Sequence, residues 1–406
     1  MAMASDVQTV ERRWAELFAT RTRGDVGEGL AAILALANAT DLISFSGGFP
    51  DPSTFPGQVI ADLLRELIES GDASALQYAP TAGLPGPREF IASRLEQREG
   101  HRPEPAELLI TSGAIECLEL AGKALLDPGD LVLVEGPTYL GAIMAFRSFE
   151  AEVRAIPMDE GGLDVDALEV ALREKRPKLL YTIPDHQNPA GVSLARDRRG
   201  RVVELARKYG VLVIEDVAYR ELGFAHEREE SLWALGPDVV VQSGTFSKTF
   251  FPGVRLGWAA GPAEVVVQLT MAKQNTDQCA GALGQRLLEE YGRRGLLEEQ
   301  NARAVELYRR RWDLLMASLE RWLPDDIAFT RPRGGFFTWL TLPEGADSVS
   351  LAQRGMEQKV AFVPGVPFYP DGRGRSNIRL AFSKIADDEI DEGARRLGAL
   401  LSTKEA

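Results

Sequence analysis

The chain has 406 residues, 45% hydrophobic and 26% charged, with a net charge of −14, a globular make-up with room for one large and one small domain. That acidity argues against nucleic acid or an anionic membrane as the main partner. Two cysteines (Cys117, Cys279) exclude a disulfide framework and fit a reducing cytoplasm, while three scattered histidines leave no metal-ligand cluster.

The first 45 residues read as an arm with one or two helices, Trp14, Leu17 and Phe18 standing at helical spacing. MAMASDVQTVERRWAEL lacks the apolar core of a signal peptide, and the apolar stretch at 30–37 is too short to cross a bilayer. Gly47-Gly48 with Pro50, Pro52 and Pro56 then make a loop, where glycines let backbone approach a ligand or simply lead into a domain. Helices are expected at 59–70 and 87–99, separated by the turn-rich stretch 76–85. Seven short apolar runs follow, at 108–111, 131–135, 153–157, 179–183, 211–215, 239–243 and 256–260. Helical patterns at 115–126, 139–149 and 198–209 lie between them, which predicts an α/β domain with a mainly parallel seven-stranded sheet covered by helices on both faces. Beyond about residue 280 the order changes. A long charged helix at 285–319, strands at 336–342, 361–364 and 377–383, and a closing helix at 387–401 predict a smaller α+β C-terminal domain. The expected division is 1–45, 46–280 and 281–406.

In open α/β sheets ligands sit beyond the carboxyl ends of strands. After 108–111 come Ser112, Gly113, Ala114 and Ile115, opening a helix whose free amides would seat a phosphate, although many strand–helix turns look alike. Tyr139 follows the next run, either as a cover for a flat ring or as a core tyrosine. Asn188 stands in a rigid turn before Pro189. Asp216 ends the run at 211–215, near Tyr219; it would pair with a cation such as a protonated pyridine nitrogen, or cap a helix. Ser243 to Trp258 reads SGTFSKTFFPGVRLGW, with hydroxyls, Lys248 and Arg255. That set suits a phosphorylated carbonyl cofactor held as a Schiff base, or else a solvated surface loop. Alternation around Arg379 turns it away from Ile378, Leu380 and Phe382, towards a substrate carboxylate or towards water.

From about residue 43 onward the motifs SGGFPDPSTFP, LQYAPTAGLPGPRE, EGPTY, PDHQNPAG, EDVAYREL, FSKTFFPGVRLG and NIRLAFS occur in one order. Together they resemble the class I/II aminotransferases, pyridoxal 5′-phosphate enzymes of fold type I, and within them the aminoadipate, kynurenine and aromatic aminotransferase branch. The resemblance implies that Lys248 is the Schiff-base lysine and proton shuttle, with Asp216 and Tyr219 as the other catalytic residues. It implies that Asp216 holds the pyridine nitrogen, Asn188 and Tyr219 the ring oxygen, and Tyr139 the ring face. Gly113, Ala114, Ile115, Thr245 and Arg255 would hold the phosphate, and Tyr78 the phosphate of a neighbouring subunit, making a homodimer with shared sites. Gly48, Asn188 and Arg379 would bind the substrate carboxylate, His186 would stand beside the substrate, and the Asn188–Pro189 bond would be cis. The implied partners are an L-amino acid and a 2-oxo acid.

The chain departs from the family pattern at Ala114 and Ile115, where relatives carry a hydroxyl and a glutamine, and at His186, where they carry Phe or Tyr, so that His186 is either a flat-ring replacement or an added acid–base group. Approximate alignment sets Ala31 where aminoadipate-type relatives have an arginine, with Arg21 and Arg23 as substitutes, so a dicarboxylic substrate is not implied. Beside transamination stands a lyase or bond-forming reaction using the same carbanion. A transcription-regulator reading is poor, because only about 40 residues precede the SGG loop, too few for a winged-helix domain.

Overall fold

The computed structural model describes residues 14, 16–22, 41–225 and 228–402. Most of the expected arm, including Arg23 and Ala31, lies outside them. Trp14, Leu17 and Phe18 are described and exposed.

Chain entry is a two-residue strand, β1 (Ile43–Ser44). The seven apolar runs all become strands: β2 (Leu108–Thr111), β3 (Leu131–Gly136), β4 (Glu152–Asp159), then β6 (Leu179–Thr182), β7 (Leu212–Asp216), β8 (Val240–Thr245) and β9 (Gly257–Ala260). The sheet nevertheless has eight strands, not seven, because β5 (Gly162–Leu163) folds back antiparallel on the end of β4. Two residues are too few to register as an apolar run. The spatial order is β2-β9-β8-β7-β6-β3-β4-β5, with β4, β3, β6, β7 and β8 mutually parallel. Since β9 runs antiparallel to β8, it begins where the parallel strands end. Arg255, two residues before β9, therefore reaches the same sheet edge as Asp216 and Thr245.

Period-two alternation divides the strands between two cores. Leu131, Leu133, Val213 and Val240 join one cluster, and Val132, Val134, Ile214 and Val241 the other. Helices Pro85–Glu99 and Arg196–Tyr209 cover the first face, Ala114–Leu125 and Leu140–Arg147 the second. Such two-sided burial is why these strands read as continuous apolar runs.

The expected single helix at 285–319 is two, Ala282–Arg293 and Leu296–Trp322, parted where Gly295 takes φ +73°. A glycine adopts that left-handed conformation without a Cβ clash and so ends the first helix. Leu287, Leu288 and Tyr291 of the first helix pack in the large core.

A smaller four-stranded sheet has the order β10 (Ala328–Phe329), β11 (Phe337–Thr341), β14 (Asn377–Ala381) and β13 (Val363–Pro364). With helices Leu296–Trp322 and Ile390–Ser402 it encloses its own core, which also takes Ile43, Phe45 and Tyr219. β1 pairs in parallel with β12 (Val360–Ala361) in a separate two-stranded sheet, and Gly48 and Phe49 just after it reach the cleft at the large sheet's edge. Among the described residues, no helix is long and apolar enough to cross a membrane.

Candidate active site

Residues far apart in sequence converge at the carboxyl edge of the large sheet, around a cleft of about 280 Å³. Its lining includes Gly48, Ala114, Ile115, Tyr139, Asn188, Asp216, Tyr219, Thr245, Lys248, Arg255 and Arg379. Gly113 lies just behind Arg255: a Cβ there would stand 2.7 Å from the guanidinium, and its φ of +96° also favours glycine.

Lys248 follows β8 by three residues. Its Nζ donates to the Gly48 carbonyl at 3.0 Å and lies 5.8 Å from the Tyr219 ring centroid. Burial lowers its pKa to about 8, against the pull of Asp216. Near neutrality an appreciable fraction is thus free amine, as a nucleophile or proton carrier needs.

Asp216 ends β7 and is 5% exposed. Its oxygens accept from Tyr181 Oη at 2.8 Å and the Ala218 amide at 3.0 Å, both neutral donors. Burial raises its pKa, while the Tyr181 hydrogen bond works the other way. A buried carboxylate with neutral donors on the floor of a cleft is matched to a bound cation, such as a protonated ring nitrogen. Tyr139 and Tyr219 are both pushed up by burial, so each remains a hydroxyl donor.

At one end of the cleft Thr245 Oγ1 donates to Ser247 Oγ at 3.0 Å, and Arg255 reaches Ser247 Oγ at 3.3 Å and the Ser112 carbonyl at 3.1 Å. Helix Ala114–Leu125 starts here with no side-chain cap on its amides. Hydroxyls, a guanidinium and uncapped helix-end amides together have the chemistry that would suit a phosphate. At the other end Arg379 donates to Asn188 Oδ1 at 3.0 Å and to the Ser46 carbonyl at 2.9 Å. Its guanidinium lies 4.5 Å from the Phe337 ring centroid and 4.8 Å from that of Phe368. Burial lowers its pKa to about 10, which still leaves a cation at neutral pH. Its Nε is buried without a hydrogen-bond partner. This aromatic sandwich fixes the plane of a guanidinium that faces the cleft, a ready receptor for a carboxylate.

Two expected site residues stand outside the cleft lining of this chain. The His186 ring packs against Gly223 and Gly334, where added Cβ atoms would meet it at 3.1 and 2.6 Å, and it does not line the cleft. The turn sends it there with φ +52°. Burial lowers its pKa to about 4, so it is neutral near pH 7. Tyr78 is 80% exposed and also stands outside the cleft of its own chain. Asn188–Pro189 is cis, as is Gly136–Pro137. Residues not foreseen include Tyr181, Phe337 and Phe368. Tyr181 shares alternation with Leu179 and Ile183 along β6, a signal that marked its face. Nothing local foretold that Phe337 and Phe368 would enclose Arg379.

Residues 40–397 match the family model of aminotransferase class I and II. The chain is 36% identical to aromatic-amino-acid aminotransferase 1 of Thermococcus litoralis over 386 residues, 94% of this chain and 93% of the relative. It superposes on the Pyrococcus horikoshii kynurenine aminotransferase with TM-score 0.91 and 37% identity, covering 95% and 97% of the two chains. On the α-aminoadipate aminotransferase of Thermus thermophilus, solved with N-(5′-phosphopyridoxyl)-L-leucine, the TM-score is 0.89 and the identity 37%, with coverage of 96% and 98%.

Proposed function

Since the chain belongs to the class I and II aminotransferases and is a pyridoxal 5′-phosphate-dependent transaminase, we propose that Lys248 is its Schiff-base lysine and proton carrier. The observation that carries this reading is the single cleft holding a buried amine, Lys248, and a buried carboxylate bonded by neutral donors, Asp216. When bound, the cofactor supplies a carbonyl carbon that receives the amino group and a conjugated ring that takes up the electron pair left at the substrate Cα. The chain's residues divide the remaining work. Asp216 would accept a hydrogen bond from the ring nitrogen and keep its proton in place. Asn188 and Tyr219 would hold the ring oxygen, and Tyr139 would cover the ring. Gly113, Ala114 and Ile115 would offer amides to the phosphate, with Thr245 and Arg255. Arg379 would take the substrate carboxylate, and the neutral amine of Lys248 would carry the proton removed from the substrate Cα. The relatives support this amino-group transfer and give no support to the elimination or bond-forming alternative. Borohydride reduction followed by peptide mapping is expected to tag Lys248; a tag on another lysine would refute the assignment.

For the substrate, the described lining offers Phe49, Leu140, Ile183, Phe337 and Phe368, and its cations are Lys248, Arg255 and Arg379 alone. Each of these has a task already, so a distal carboxylate finds no further cation among the described residues that line the cleft. Amino acids with aromatic or aliphatic side chains are the expected donors and a 2-oxo acid the acceptor. A substrate panel in which glutamate or aminoadipate gave the highest kcat/KM would reverse this ranking.

His186→Phe is expected to keep the half-reaction with an amino acid alone within about threefold of the parent rate, because the neutral ring stands outside the cleft lining. Stopped-flow absorbance of the bound cofactor measures it.

A homodimer with shared sites accounts for Tyr78, whose exposed ring would complete the phosphate seat of the second copy. Mixing Tyr78→Ala with Lys248→Ala subunits should then regenerate part of the activity. No recovery, with subunit exchange shown independently, would assign Tyr78 to its own subunit. A cytoplasmic location agrees with two unbridged cysteines.

A further inference from the structure

Lys273 is fully buried at the end of helix Ala263–Gln274, outside the cleft. Its Nζ contacts both oxygens of Glu116, at 2.8 and 2.7 Å, and both of Asp277, at 2.9 and 2.7 Å. The two carboxylates in turn hold one residue, Ser112. Its amide donates to Glu116 Oε2 at 2.6 Å, and its hydroxyl donates to Asp277 Oδ2 at 2.9 Å. Arg255 takes the third polar group, the Ser112 carbonyl. Ser112 is therefore fixed on three sides immediately before Gly113, Ala114 and Ile115, whose amides face the cleft end.

We propose that Lys273 is a positioning residue for the cofactor phosphate, neutralising and locking the two carboxylates that set the turn at Ser112. The inference rests on the reading of that turn as the phosphate seat. Ala114 and Ile115 bring no hydroxyl or amide side chain to the phosphate, so the aim of the backbone matters more than where side chains share the load. Glu116 also puts a negative charge in the first turn of the helix that receives the phosphate. An unneutralised Glu116 would repel the ligand, and Asp277 beside it would push the turn apart. Lys273 removes both effects from behind the seat without touching the ligand.

The test compares two ligands on the full-length chain freed of cofactor: pyridoxal 5′-phosphate, and pyridoxal, which lacks the phosphate. Lys273→Met is expected to weaken pyridoxal 5′-phosphate by about 100-fold while changing pyridoxal by less than about threefold. The double variant Glu116→Gln/Lys273→Met leaves the Ser112 amide an acceptor, removes both buried charges and keeps only the part-exposed Asp277, and should recover the phosphorylated ligand to within about tenfold of the parent. It also serves if the single variant does not fold. Equal losses for both ligands, or a double variant as weak as the single one, would overturn the proposal. Arg255→Ala separates the underlying reading: if it weakens both ligands equally, the phosphate does not sit at this turn, and the seat assignment fails first.

Discussion

Lys248→Ala is expected to abolish transamination, by at least about 10⁴-fold in kcat, while the cofactor stays bound without a covalent link. The loss is large because one side chain does two jobs that no neighbour can take over. It is the amine of the cleft, held by the Gly48 carbonyl, and its nearest aromatic companions, Tyr219 and Phe336, carry no base of suitable strength. Retention of cofactor is expected because Asp216, Asn188, Tyr139, Thr245 and Arg255 are left in place. The pH dependence follows from the lowered pKa of about 8. Only the neutral amine attacks a carbonyl, so capture of cofactor by the cofactor-free parent chain should rise about tenfold per pH unit below that value and level off above it. A capture rate still climbing steeply towards pH 10 would show that the amine is not desolvated as the cleft implies. Residual turnover of the alanine variant near the parent rate would remove Lys248 from the chemistry.

Arg379→Ala carries the second largest expected effect, roughly 2–5 kcal/mol of substrate binding, shared by every amino acid because the α-carboxylate is common to all of them. The guanidinium is buried, bonded to Asn188 and Ser46, and held between two phenyl rings. That arrangement fixes its plane before any ligand arrives, so little is spent on ordering it. Lysine should not restore binding, since a single ammonium has neither the fork that pairs with a carboxylate nor the flat face that fills the sandwich. The internal link between Lys248 and cofactor, read by its absorbance, should be untouched. Michaelis constants unchanged across a panel of amino acids would take Arg379 out of the site.

The order of motifs and the apolar runs determined the architecture by themselves. Each run at 108–111, 131–135, 179–183, 211–215 and 239–243 is a strand buried on both faces, and burial on both faces leaves a continuous apolar signature that survives any register. Strand ends then mark the site, because parallel strands bring their carboxyl termini to one edge. For this reason Gly113, Tyr139, Asn188, Asp216 and Lys248 could be set at or near strand ends from spacing, while their roles came from the motif resemblance. Weak local signals hid the rest. β5 pairs through two residues only, and the break at Gly295 shows as one glycine in a long helical pattern. His186 had the composition of a site residue in a site motif, yet its left-handed backbone turns the ring among glycines 223, 334 and 335, two of which lie almost 150 residues further on. Arg379 could be turned off one face of its strand by alternation, but its phenyl sandwich depends on Phe337 from the neighbouring strand and Phe368 from a short 3-10 turn at Val366–Phe368. The link from Lys273 through Glu116 and Asp277 to Ser112 likewise spans helices 157 residues apart in sequence. Periodicity records which face of an element is buried. Which side chains meet across elements depends on how the elements pack, and only the tertiary structure decides that.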